Sequence, residues 1–73
     1  MTDPMKPVRA AGECLFGPLW QREMGKALGV RDRQVRRWVA GEASLPDDIG
    51  PRLRKLIDKR LAQLRAVRRT LPS

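Results

Sequence analysis

The chain has 73 residues, which is enough for one modest hydrophobic core but not for two domains around a deep catalytic cleft. Sixteen Lys and Arg residues against eight Asp and Glu give a formal charge of +8, which predicts an anionic partner. With no His, no Tyr and one Cys, the chain lacks the usual nucleophile-and-base pairs and metal-ligand sets.

The missing residue types predict that the protein is not an enzyme, and the single cysteine favours a cytoplasmic location. We expect no cofactor, no metal and no small-molecule substrate. The single cysteine, Cys14, excludes an intramolecular disulfide and is typical of a reducing compartment; we expect it to pack inside the fold. No apolar run resembles a signal peptide, and none approaches the roughly 20 residues of a membrane span.

The first half of the chain predicts a flexible arm followed by two helices. Residues 1–6, which contain Pro4, are predicted to form the arm, and the folded domain is predicted to cover residues 7–71. Apolar residues at helical spacing predict a first helix over residues 8–16, although Gly12 disfavours it. A second helix is predicted with Pro18 in its first turn and Gly29 at its end. Its predicted inward face consists of Leu19, Trp20, Met24, Ala27 and Leu28.

The second half predicts two more helices and no strand. Residues 32–40 form the third, with Val35, Trp38 and Val39 facing inward and Gly41 ending it. Residues 41–47 read as a loop. The last helix is predicted over residues 48–70, and Pro51 is tolerated only in its first turn. Its apolar stripe consists of Leu53, Leu56, Ile57, Leu61, Leu64 and Val67. The fold class is therefore all-α.

Three features between residues 20 and 38 predict a helix-turn-helix. Gly25 lies inside the second helix, where a bulky side chain would hold the crossing helix away. Gly29 allows the left-handed conformation of a tight turn. The apolar residues Met24, Leu28, Val30, Val35 and Trp38 are spaced so that two helices share one core.

Residues 19–41 resemble the lambda-repressor/Cro-like helix-turn-helix family. Residues 23–29 match its first motif helix and turn, and Val35, Trp38 and Gly41 match the packing positions and end of its recognition helix. The resemblance implies a compact four- to five-helix bundle that binds a palindromic operator as a homodimer, with the recognition helix in the major groove. Arg31 stands where the family often has Ser or Thr as the helix cap, so Asp32 is expected to cap the helix or complement its dipole.

An inward face of Val35, Trp38 and Val39 leaves the arginines of the third helix outside. We predict that Arg33 and Arg37 read guanine, since the guanidinium fork bonds both O6 and N7. Asp32 is expected to accept from cytosine or orient an arginine. Gln34 is expected to read adenine or hold a phosphate. The remaining predicted phosphate contacts are Arg31, Arg36 and, from the resemblance, Gln21 at the start of the second helix.

The last helix has two possible roles in the sequence. Between residues 52 and 69 it carries eight Lys and Arg against one acid, Asp58, a net +7. Leu61, Leu64 and Val67 extend beyond what one small core needs, and predict a homodimer interface. The alternative is a helix that closes its own core up to Leu61 and then frays as a basic tail. In both cases Arg65, Arg68 and Arg69 are predicted to contact phosphates.

These features predict a sequence-specific regulator of transcription, acting as a repressor or autorepressor of a phage, plasmid or bacterial operon. One alternative is an architectural or accessory DNA-binding protein, for which Leu45 is the one candidate apolar wedge. A second alternative is an adaptor that uses the same fold to bind an acidic protein. Both alternatives use the positive charge of the chain, so the charge alone does not separate the three.

Overall fold

The computed structural model describes residues 3–73, and within them all regular structure is helical. Helix α1 spans Met5–Phe16, α2 spans Trp20–Leu28, α3 spans Asp32–Val39 and α4 spans Ile49–Thr70. A 3₁₀ helix, Gly17–Leu19, lies between α1 and α2. The predicted all-α class is confirmed.

The number of separate helical segments is smaller than the sequence predicts. The 3₁₀ helix joins α1 to α2 with no intervening coil, so residues 3–73 contain three uninterrupted segments, at 5–28, 32–39 and 49–70. The expected four to five helices are therefore not matched. The principal extents of 47 × 24 × 18 Å reflect the length of α4, about 33 Å for its 22 residues.

Helix α1 begins earlier than expected, at Met5, so the last two residues of the predicted arm, Met5 and Lys6, are helical. The carboxylate of Asp3 accepts the amide of Met5 at 2.9 Å, which satisfies one of the free donors at a helix start. Pro4 precedes the first helical residue with φ −65°, a value that already suits a helix. Met5 is buried. Residues 1 and 2 of the predicted arm lie outside the described residues.

The hydrophobic core joins all four helices. Met24 and Val35 are completely buried, and both tryptophans, Trp20 and Trp38, are core residues as predicted. Leu53 of α4 closes the core. Gly12, which the sequence flagged as unfavourable, is buried in the middle of α1. A Cβ there would lie 2.9 Å from a ring carbon of Trp20 and from the terminal methyl of Met24, so glycine is what lets Trp20 pack against α1.

The turn between α2 and α3 has the predicted geometry. Gly29 adopts φ 75° and ψ 26°, and the amide of Val30 donates to the carbonyl of Gly25 at 2.8 Å. These are the features of a glycine-terminated helix end. A Cβ on Gly25 would lie 2.9 Å from the carbonyl oxygen of Val30 and 3.2 Å from the amide nitrogen of Asp32. The close approach expected at Gly25 is thus confirmed.

Three expected core positions are wrong. Leu19 is 66% exposed because it belongs to the 3₁₀ helix, whose tighter winding puts it out of phase with α2. Ala27 is exposed, since Trp20, Met24 and Leu28 set the buried face of α2. Cys14 is exposed as a free thiol, because α1 buries the side that carries Val8, Gly12 and Leu15.

Candidate nucleic-acid interface

The outer side of α3 carries four of the predicted DNA-contacting residues together. Arg31, Arg33, Gln34 and Arg37 line one shallow concavity on the surface. On the opposite side of the same helix, Val35 and Trp38 are buried in the core. Their burial fixes the rotation of α3 about its own axis, so the arginines have no alternative to facing outward. The surface formed by these four residues is called the α3 face below.

Arg36 and Asp32 lie beside the α3 face and pair with each other. Their closest nitrogen and oxygen are 3.9 Å apart, one helical turn from each other, and both side chains are at least half exposed. An exposed pair of this kind contributes less than about 1 kcal/mol, so DNA phosphates can compete for Arg36 at little cost. Of the two roles expected for Asp32, this contact corresponds to the orienting of an arginine.

The start of α3 shows which of its two expected roles Asp32 has, that of helix cap or that of a charge complementing the helix dipole. Arg31 occupies the N-cap position in an extended conformation, φ −74° and ψ 148°, and no side chain caps the helix. Its carbonyl accepts the amide of Gln34 at 2.9 Å, which leaves the guanidinium outside the turn. Asp32 lies in the first helical turn, where a negative charge complements the helix dipole. Asp32 therefore complements the dipole and does not act as the cap.

Gln21 lies at the start of α2, half-buried, as the second residue of that helix. The expected help from free amides at this helix start is reduced. Because the 3₁₀ helix runs directly into α2, the amide of Trp20 already donates to the carbonyl of Gly17. A phosphate at this position would depend mainly on the Gln21 side chain.

Arg65, Arg68 and Arg69 lie on the last part of α4, and all three are exposed. The main packing partner of α4 is α1, whereas α3 packs against α2. The structure therefore does not gather these arginines with the α3 face. Leu61, Leu64 and Val67 are on the same part of α4 and are 45%, 56% and 56% exposed.

Two arginines have structural roles that the sequence did not reveal. The guanidinium of Arg60 donates to the carbonyl of Leu15 at 2.7 Å, and that of Arg52 donates to the carbonyl of Leu28. Leu15 and Leu28 lie at the ends of α1 and α2, where carbonyls lack helical partners and cations are favoured. The glycine that follows each helix marks the helix end in the sequence. Which arginine reaches the carbonyls at that end depends on the fold.

Leu45, the candidate wedge for DNA bending, packs against the core and is half-buried. It follows Ala43, which packs there too. A side chain held in the core does not project far enough to enter a base step. This position therefore offers little support for the architectural alternative.

Comparison with protein-family models, with curated proteins and with solved structures finds no match to this chain. The family resemblance of residues 19–41 thus remains a resemblance of motif and spacing. Between residues 3 and 73, His, Cys, Asp and Glu do not come together in a group of three that could hold a metal. In the same range, no helix combines the length and apolar character needed to cross a bilayer.

Proposed function

We propose that this protein binds double-stranded DNA sequence-specifically, with α3 in the major groove. The observation that carries the proposal is the α3 face: three arginines and a glutamine share one concavity on a helix whose other side is locked in the core. An α-helix fits the width of the major groove. Arg and Gln can each form two hydrogen bonds to one base edge there, Arg to guanine and Gln to adenine. If the α3 face served only to keep the protein in solution, it would need neither the glutamine nor a fixed rotation of the helix.

Within this proposal each residue of the interface has a separate role. Arg33 and Arg37, one turn apart, read guanine, and Gln34 reads adenine or holds a phosphate. Asp32 accepts from cytosine or keeps Arg36 in place. Contacts to phosphates set the register of the protein on the duplex without reading sequence. The proposed phosphate-binding residues are Gln21, Arg31, Arg36, Arg65, Arg68 and Arg69.

The biological role we propose is repression, with the protein in the cytoplasm on an operator of a phage, plasmid or bacterial operon. Occupying a promoter is sufficient for repression and needs no catalysis, cofactor, membrane or small-molecule substrate. We propose a homodimer because one short helix reads only a few base pairs. Two helices on half-sites about 34 Å apart double the sequence that is read.

Competition binding tests the proposal against the two alternatives. A binding site is first selected from a pool of random DNA. Fluorescence anisotropy then measures binding to a labelled duplex that contains this enriched site, with random-sequence duplex as competitor, at several salt concentrations. A regulator keeps an affinity ratio of about 10³ or more between its site and random DNA. A ratio near one would indicate an architectural protein. Loss of all DNA binding at moderate salt would indicate an adaptor.

A further inference from the structure

The surface between α1 and the second half of α4 is apolar and open to solvent. A groove of about 490 Å³ runs between the two helices. Its walls include Ala10 and Cys14 of α1 and Ile57, Leu61 and Leu64 of α4. Both leucines are about half exposed, at 45% and 56%, so burying them against a ligand would be favourable. This surface is called the α1–α4 groove.

Arginines of α4 surround the α1–α4 groove. Arg60 lines the groove, and its guanidinium, which has five N–H donors, gives one bond to the carbonyl of Leu15. Arg65 and Arg68 each follow a leucine of the groove by four residues, which places them one turn further along the same side of α4. All three arginines are exposed, so a ligand in the groove meets them at its edge.

The positive charge of these two helices is not balanced within the described part of the chain. Residues 5–16 and 57–73 contain seven Lys and Arg against two acids, Glu13 and Asp58, a net +5. The two ion pairs within residues 3–73 lie on α2 and α3. A ligand with negative charge is therefore attracted to the groove, and one with positive charge is repelled.

We infer that the α1–α4 groove binds an acidic amphipathic helix of a partner protein. Such a helix lays apolar side chains into the groove and presents carboxylates to the arginines at its edge, so one ligand matches both features. The α3 face lies on a different helix, which packs against α2 and not against α1 or α4. The inference therefore goes beyond the proposed DNA binding and does not rest on it.

Other ligands match only one of the two features. A DNA duplex offers phosphates to the arginines but nothing apolar to the groove, and a flat anionic bilayer does not enter a groove between two helices. A second copy of this chain offers apolar side chains but repeats the net +5 of the same residues at the contact. A homodimer through Leu61, Leu64 and Val67 and an acidic helix in the groove would exclude each other.

The spacing along α4 defines the length and pattern of the partner helix. From Ile57 to Leu64 the wall of the groove is about 10 Å long, which is two helical turns. Val67 and Leu71, 56% and 63% exposed, extend the apolar side to about 21 Å. A helix of roughly 14 residues spans this length, with apolar anchors at steps of three and four residues. So short a contact is typical of a transient partner.

The single thiol of the chain reports whether the groove is occupied. Cys14 lines the groove and is exposed, and no second cysteine competes with it. The probe is a synthetic peptide of about 18 residues, long enough to form a helix, with leucine at steps of three and four residues, glutamate beside the leucines and alanine elsewhere. Fluorescence anisotropy of the labelled peptide measures its affinity for the full chain. The rate at which iodoacetamide, an uncharged reagent, modifies Cys14 shows where the peptide binds.

The acidic peptide is expected to bind at low salt with a dissociation constant of roughly 10–100 μM, and to slow the modification of Cys14 in proportion to the fraction bound. The same peptide with glutamine in place of glutamate is expected to bind roughly tenfold more weakly, because it keeps the apolar side and loses the charge.

Variants of the chain test the two features separately. Leu64→Ser is expected to weaken binding of the acidic peptide roughly tenfold, since it removes apolar surface that the peptide buries. Leu19→Ser is the matched control and is expected to bind as the parent does, because Leu19 is 66% exposed but lies on the 3₁₀ helix. The double variant Arg65→Gln, Arg68→Gln is expected to bind more weakly and to lose most of the salt dependence.

Several results would overturn the inference. Equal affinity for the acidic and the glutamine peptide would remove the role of charge. Binding that Leu64→Ser leaves unchanged, or that leaves Cys14 as reactive as before, would place the peptide elsewhere. Equal or greater protection of Cys14 by duplex DNA, by phosphatidylglycerol vesicles or by a higher concentration of the chain itself would identify a different ligand.

Two controls keep the result interpretable. Circular dichroism checks that the variants fold, and Leu61→Ser replaces Leu64→Ser if the latter does not. Because the peptide assay contains no DNA, its failure leaves the proposal for the α3 face standing. A chain that binds the peptide as expected but binds no DNA would refute the proposed function alone.

Discussion

Replacing Gly25 by alanine tests whether α2 and α3 cross as closely as the structure indicates. The new Cβ would lie 2.9 Å from the carbonyl oxygen of Val30 and 3.2 Å from the amide of Asp32. Both neighbours are backbone atoms of the turn, so no side-chain rotation relieves the contact. The turn is also held by the 2.8 Å bond from Val30 to Gly25, and must therefore shift as a unit.

The expected effect is the difference between two opposing contributions. Overpacking of this kind costs about 1–3 kcal/mol, while exchanging glycine for alanine inside a helix contributes about 0.5–1 kcal/mol of stability. We therefore expect Gly25→Ala to lower the free energy of unfolding by about 0–2.5 kcal/mol, with the middle of the range near about 1 kcal/mol. In a domain of this size each kcal/mol corresponds to about 4–8 °C in Tm. Urea and thermal denaturation followed by circular dichroism measure both quantities.

The reverse exchange in the same helix is the matched control. Ala27 is exposed, so Ala27→Gly measures the helix-propensity contribution alone and is expected to destabilise by about 0.5–1 kcal/mol. If Gly25 were an ordinary helical position, Gly25→Ala would stabilise by about the amount that Ala27→Gly costs. A Gly25→Ala protein more stable than the parent would refute the close crossing of α2 and α3.

Two further predictions concern arginines with different roles. Arg33→Ala is expected to weaken binding to the enriched site by about 1–3 kcal/mol and to relax the preference at one guanine, measured by anisotropy on single-base variants of the site; uniform weakening on all sequences would make Arg33 a phosphate contact. Arg60→Ala removes the 2.7 Å bond to Leu15 and is expected to cost about 1 kcal/mol in urea unfolding. Arg54→Ala, exposed on the same helix, should stay within about 0.5 kcal/mol of the parent, and equal effects of the two variants would contradict the bond.

The turn between α2 and α3 was predictable because the residues that determine it are close together in the chain. Gly25 and Gly29 are four residues apart, and the local backbone geometry that each requires is independent of distant parts of the fold. The same holds for Val35 and Trp38, whose spacing already fixes which side of α3 is buried. From that side, the outward direction of the neighbouring arginines follows directly.

The parts that were not predictable depend on contacts between distant residues or on one ambiguous residue. Gly12 looks unfavourable for a helix until Trp20 is placed against it. Arg60 looks like one more surface charge until α4 lies over the end of α1 at Leu15. Pro4 is compatible with both a disordered arm and a helix start, and local sequence does not distinguish them.

Selection of bound duplexes from a random DNA pool, followed by sequencing, tests most directly whether α3 reads DNA sequence. We predict an enriched palindrome whose half-sites contain guanine and are about one helical turn apart. In the double variant that carries both Arg33→Ala and Arg37→Ala, the preference for those guanines should be lost. Enrichment of no motif by the parent protein, or of the same motif by the double variant, would contradict the claim that α3 reads DNA sequence.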